Sequence, residues 1–223
     1  MQSNQTSQVM ISFSLNKFAK HGCLIFLVLL ATTSLSCAQA PGNQSDVDWL
    51  IEVLEIESGS TVADIGAGDG DQTRAIAQHI GSEGTIYSTE LGKESVEELK
   101  QSVANTDLSN ITVLEGHPER TNLPEQCCEA LFLRRVYHHI TNPDAFNSSL
   151  FASLKPGGRL AIIDFKPRES EAEPGGRASG SQHGVTAKTV IEELKHAGFS
   201  LISSEEGTGR DIYVVMQKPL SDF

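Results

Sequence analysis

The chain has 223 residues, 39% hydrophobic and 21% charged, with a net charge of −12. That composition excludes a disordered chain, and the length suffices for one domain with a well-buried core. The acidic balance argues against unaided binding to nucleic acid or anionic membrane, since phosphate contacts need clustered Lys and Arg.

Residues 1–40 read as a targeting segment. Lys17, Lys20 and His21 precede an apolar run from Cys23 to about Leu30, and Ala38–Ala40 (AQA) matches a small-x-small cleavage pattern. The run is short for a transmembrane span. Met10 as the start would give the basic region a more ordinary length. Cys37 after Ser36 also fits a lipoprotein signal, although Ser34 stands where such signals usually carry leucine. Cleaved secretion, a lipid anchor at Cys37, and an uncleaved anchor or misread start all stay open; the signal reading places the chain outside the cytosol. Residues 41–45 are a polar linker.

From residue 46 the pattern is a domain. Val47, Leu50, Ile51 and Leu54 fall at helical spacing, predicting a helix to about Glu57. TVADI is a short apolar strand running into the glycines of GAGDG, and DQTRAIAQHI is a helix closed by Gly81. Thr85–Thr89 forms a second strand, KESVEELKQSV an amphipathic helix, NITVLEG a third strand and EALFLRRV a fourth. NPDAFNSSLFASLK is a helix with Pro143 near its first turn. PGG turns the chain into the fifth strand, RLAIIDF. The polar stretch 166–186 reads as a mobile loop, and AKTVIEELKHAGF as a helix with glycine beyond its end. SLISSEE and DIYVVMQ, joined through GTG, form a terminal hairpin. The expected fold is α/β: a Rossmann-like, doubly wound, mostly parallel seven-stranded sheet with an antiparallel final strand and helices on both faces.

Four cysteines do not make a disulfide framework here. Cys23 and Cys37 fall in the targeting segment, and a bridge between adjacent Cys127 and Cys128 would close almost no loop. Ordinary thiols are the expectation for that pair. Cys and His at metal-ligand spacing are not evident beside them, so no metal is assigned.

The strand-to-helix turn at Val62–Gly70 (VADIGAGDG) carries the functional signal. Glycine there permits positive φ and lets a ligand approach the backbone. The spacing is D-x-G-x-G-x-G (Asp64, Gly66, Gly68, Gly70), not the dinucleotide G-x-G-x-x-G, since Asp71 occupies the later position. No Lys follows to make a phosphate loop, and two aspartates in the turn would repel a pyrophosphate. Together with Glu90 ending the second strand, LFLRRVYHHITNP after the fourth, and LKPGGRLAIIDF, this turn resembles the class I S-adenosylmethionine-dependent methyltransferases. The resemblance spans residues 46–217, and the group it looks nearest to is the small methyltransferase-domain proteins of bacteria.

The resemblance implies S-adenosyl-L-methionine as cofactor. Gly66, Ala67 and Gly68 would let the backbone pass close to its methionine part, with Gly70 completing the turn. Asp64 would sit near its ammonium group, and Glu90 would accept from both ribose hydroxyls. Where the family commonly has Gly-Asp-Ala at the adenine, this chain has Gly116, His117, Pro118 and Glu119. His117 would meet the adenine edge, while Pro118 has no N–H to offer. Arg134 is assigned to the cofactor side. Substrate-side candidates beyond the fourth strand are Tyr137 and His138, with Arg135 and His139 beside them; His138 is a candidate general base. Lys166, Arg177 and His183 are the polar candidates of loop 166–186, which reads either as a lid or as an inert loop.

Three functions stay open: a methyltransferase acting on a small molecule, an exported non-catalytic relic of that fold, and a different Rossmann-type enzyme such as a dehydrogenase. A small-molecule partner is expected, nucleic acid is not, and a membrane would enter only through an anchor at Cys37.

Overall fold

The computed structural model describes residues 45–220. The targeting segment and almost all of the linker lie outside the described residues. Helix α1 (Asp46–Val53) is capped by Ser45, whose side chain accepts from the Asp48 N–H. It ends earlier than the apolar spacing predicted, because Glu55 takes a left-handed φ of 53°. The Ile56 N–H then bonds Ile51 O at 3.0 Å and the Glu55 N–H bonds Glu52 O at 3.2 Å, turning Ile56 back into the core.

The remaining elements alternate as expected: β1 (Thr61–Ile65), α2 (Asp71–Ile80), β2 (Thr85–Glu90), α3 (Lys93–Ala104), β3 (Ile111–Glu115) and β4 (Cys128–Arg134). A 3-10 turn (Tyr137–His139) leads to α4 (Pro143–Ser153), β5 (Leu154–Phe165), α5 (Ala187–His196), β6 (Ser200–Glu206) and β7 (Asp211–Gln217). The PGG motif is not a turn before β5. It lies within that strand, where the register against β4 shifts between Cys128 and Ala130. Cys127 and Cys128 are not separate thiols either: they are joined to each other in a vicinal disulfide at the start of β4.

The sheet order is β3-β2-β1-β4-β5-β7-β6. The first five strands are parallel, and β7 runs antiparallel to both β5 and β6. The fold is thus the Rossmann-like α/β sheet expected, with the terminal hairpin reversed so that its last strand lies inside β6. Residue content explains this order. All five central residues of β7 are buried, whereas β6 carries exposed Leu201, Ile202 and Glu206 at the sheet edge.

Alternation of side chains divides the core in two. On one face Leu131, Leu133, Leu160, Ile162 and Val214 meet Leu150 of α4 and Val190 and Leu194 of α5. On the other, Val62, Phe132, Ile163 and Val215 meet Trp49 and Leu50 of α1 and Ile76 and Ile80 of α2. Both faces are covered, which is why the parallel strands read as nearly continuous apolar runs. Because β1 pairs with β2 on one side and β4 on the other, the chain reverses its winding there and leaves a crevice at the strands' carboxyl ends.

Candidate active site

A cavity of about 490 Å³ opens at that crevice. Its wall is drawn from the ends of four strands: Gly66 after β1, Thr89 to Leu91 at β2, Gly116 to Pro118 after β3, and Arg134 to Val136 after β4. Phe146 of α4 and Ile140 close the apolar side.

Each glycine of the turn does a different job. A Cβ on Gly66 would lie 2.5 Å from Val136 Cγ2, and φ there is +75°. At Gly68 a Cβ would meet nothing within 4 Å, but φ is +58°, so the backbone is bare on an open side. Gly70 packs tightly against Leu99 of α3. The Gly66 and Ala67 N–H groups donate to Thr89 O at 2.9 and 3.0 Å, and Gly70 N–H donates to Ala67 O at 2.9 Å. Those donors are already satisfied, so the turn is not a phosphate cradle.

The Gly68 N–H donates to Glu90 Oε1 at 2.7 Å, and the Leu91 N–H to Glu90 Oε2 at 3.0 Å. Each carboxylate oxygen keeps accepting capacity, and the carboxylate is held at the cavity wall. Behind it Asp64 is buried and accepts from Thr73 Oγ1 at 2.7 Å, with Ser88 next in the chain of hydroxyls. Burial pushes the Asp64 carboxyl up to about 7; the Thr73 hydrogen bond opposes this and the Glu90 charge adds to it. Asp64 does not itself line the cavity.

His117 lines the wall with Pro118, and its Nδ1 accepts from the Glu119 N–H at 3.1 Å, leaving Nε2 as the remaining ring nitrogen. Glu119 is turned to Asn142, whose Nδ2 donates to it at 3.0 Å. Arg134 also lines the cavity, with its Nε donating to Asp46 Oδ2 at 2.6 Å. Asp46 Oδ1 accepts from Tyr213 at 3.3 Å, so Arg134 fastens the start of α1 across the crevice. Burial, with Asp46 beside it, pushes the Tyr213 phenol up to about 12.

A methyltransferase-domain family model matches residues 56–202, more than half of the chain. The chain belongs to the methyltransferase-domain family. Among curated relatives, the ubiquinone/menaquinone biosynthesis C-methyltransferase UbiE of Marinomonas sp. (strain MWYL1) is 26% identical over 117 residues, covering 52% of this chain and 47% of that protein. The chain spans about half the length of the curated relatives it matches. Among solved structures, an S-adenosylmethionine-dependent methyltransferase from Aquifex aeolicus superposes with a TM-score of 0.66 at 24% identity, over 78% of this chain and 89% of that one. The [4+2]-cyclase SpnF superposes with a TM-score of 0.69 at 17% identity, over 78% and 81%. The class I methyltransferase resemblance is thereby the right family and fold; at such identities the structures speak for the fold alone.

The YHH segment divides between the core and the cavity wall. Tyr137 is fully buried and does not line the cavity. Its hydroxyl donates to Glu193 Oε2 at 3.0 Å and accepts from Asn147 Nδ2 at 2.8 Å, and burial holds its pKa well above the usual phenol range. His138 is buried too, with Nδ1 bonded to Asp164 Oδ1 at 2.8 Å. It is His139, exposed on the same turn, that reaches the cavity wall. Partial burial, with His138 and His183 nearby, lowers the His139 pKa. Arg135 lines the wall as well and is paired with Asp211 at 2.8 Å.

Segment 166–186, read from sequence as a mobile loop, has no regular structure and is fastened at several points. Buried Arg177 holds Glu193 Oε1 at 2.7 Å and Ala172 O at 3.1 Å, and the Val185 N–H bonds Phe165 O at 2.9 Å with its side chain in the core. Lys166 pairs outward with Glu206. Sequence reasoning also missed Arg120, Thr89, Leu91, Ile140 and Phe146 of the wall. Phe146 carries the i, i+4 spacing with Leu150 that marks a core face, so nothing in the pattern alone sets it apart.

Proposed function

We propose that the protein transfers a methyl group from S-adenosylmethionine to a small organic acceptor. The observation that carries this reading is the Glu90 carboxylate, fixed at the cavity wall by the Gly68 and Leu91 N–H groups. Two acceptor oxygens in one plane suit a vicinal ribose diol. The bare backbone at Gly68 suits close approach of a nucleoside, and Asp64 behind the turn, in its ionised form, suits a cationic one better than a pyrophosphate. When bound, the cofactor supplies an electrophilic methyl group on a sulfonium. The chain's own part is positioning: Glu90 orients the nucleoside end, while Leu91, Val136, Ile140 and Phe146 give an apolar wall that keeps water from the acceptor. Tyr137 and His138 stand back from the cavity and are not assigned a proton-transfer role.

The UbiE relatives are named as C-methyltransferases of quinone biosynthesis. Together with the apolar wall, that supports an acceptor with an apolar ring or chain. We further propose, from the residue pattern of positions 1–40, that the protein works outside the cytosol. The alternative reading is a non-catalytic protein of the same fold, motivated by Pro118 of the cavity wall, which has no N–H to offer a ligand.

Calorimetric titration of the full chain with S-adenosylhomocysteine tests the proposal. Saturable binding is expected, weakened by Glu90→Ala about 10- to 100-fold through loss of charge-assisted hydrogen bonds. A folded chain that takes up no ligand would overturn it and leave the non-catalytic reading.

A further inference from the structure

Three histidines from two separate segments converge beside the cavity. His138 and His139 come from the turn after β4, and His183 from the segment after β5. One potential ligand atom of each lies within 4.8 Å of the other two. The ring centroids of His138 are 4.0 Å from His139 and 4.7 Å from His183. Ring stacking leaves one atom unexplained. His183 Nε2 is buried and has no hydrogen-bond partner among the described residues, a state that is costly unless another group supplies one.

The support behind His138 points the same way. Asp164 is fully buried, and its two oxygens accept from the His138 and Phe165 N–H groups at 3.2 and 2.9 Å. A carboxylate oxygen 2.8 Å from the His138 Nδ1 suits the ring tautomer that carries its proton there. In that tautomer Nε2 keeps its lone pair. A carboxylate that fixes a histidine tautomer in this way is the usual support of a metal-ligating imidazole.

We propose that His138, His139 and His183 form a three-imidazole site for a divalent transition-metal ion such as zinc, with Asp164 positioning His138. Imidazole donors select zinc, cobalt, nickel or copper over magnesium and calcium, which demand oxygen. Zinc–nitrogen bonds of about 2.0–2.1 Å require the three nitrogens to draw together to about 3.3 Å. His139 is the exposed member and can rotate to close that gap. Arg135 and Arg210, each over the Phe165 ring at 5.1 and 5.0 Å, add positive charge nearby; the buried Asp164 carboxylate offsets part of it. Three protein ligands leave a coordination position open, as in catalytic rather than structural sites. Because His139 also lines the cavity, that position would receive a lone-pair group of the methyl acceptor. This role rests on the methyl-transfer reading; the metal site itself does not.

The test uses the full chain without a polyhistidine tag, stripped with chelator and then titrated with Co²⁺ followed by visible absorption, and with Zn²⁺ followed by calorimetry. One equivalent bound saturably is expected. His139→Ala and His183→Ala should each weaken binding about 10- to 100-fold or more, and Asp164→Asn about 10- to 100-fold. Circular dichroism checks the fold of each variant; should His183→Ala fail to fold, His139→Ala, at an exposed position, decides. The absence of saturable binding, or binding undiminished in the folded variants, would overturn the site. S-adenosylhomocysteine affinity, measured on the same samples, separates this outcome from failure of the methyl-transfer proposal.

Discussion

Asp64 is buried with the Thr73 hydroxyl as its hydrogen-bond donor among the described residues, and burial pushes its carboxyl up to about 7 in the folded chain. Between about pH 4 and 7 the folded state therefore holds a proton that the unfolded state has lost, and stability falls as pH rises through that window. The direction is opposite to that of a carboxylate paired with a cation. Asp64→Asn, which stays neutral, is expected to raise the melting temperature relative to the parent more at pH 8 than at pH 5; equal changes at both would show that Asp64 does not hold the proton. On the methyl-transfer reading, the ammonium group of the ligand, which S-adenosylhomocysteine shares with the cofactor, favours the ionised form. Binding of S-adenosylhomocysteine should then tighten from pH 6 to 8 in the parent and lose this Asp64-dependent part in Asp64→Asn, as calorimetry at each pH would show. Glu90 at the cavity wall was legible because an acid at a strand end beside a glycine turn is a local pattern. Tyr137 and His138 were not, since which ring of YHH turns inward depends on a 3-10 turn whose sides are set by α5 and β5 packing against it.

At the scale of elements, the segment between β5 and α5 shows how a polar sequence can be firmly held. Its Pro, Gly and Ser content marked it as a free loop, yet Arg177 is buried at its centre with Glu193 of α5 and with Glu171 at 3.6 Å. Removing one partner of a buried pair leaves the other charge uncompensated. Arg177→Ala should cost about 3–5 kcal/mol, read as a lowered denaturation midpoint, and should make residues 166–186 the first site of limited proteolysis. A variant as stable and as resistant as the parent would show the pair to be incidental. The vicinal disulfide is a different case. Linking adjacent residues removes almost no loop entropy from the unfolded chain. Reduction followed by thermal melting is expected to leave the midpoint nearly unchanged, and a large drop would assign Cys127–Cys128 a packing role at the start of β4.

Over the whole molecule, the export proposed from the residue pattern of positions 1–40 has a direct test. A full-length chain tagged at its C-terminus should fractionate outside the cytosol, with the mass of residues 41–223 if cleavage follows Ala40; recovery in the cytosol at full mass would refute export. The sequence by itself determined the class of sheet, the count and order of its elements, and the family. Periodicity, glycine spacing and strand-end acids are properties of short segments, and short segments report themselves. Only the tertiary structure decided that β7 lies inside β6, that Arg177 is an anchor, and that His138, His139 and His183 share one place. Those residues are brought together by crossovers between distant strands, and no local pattern records which partners a crossover will deliver.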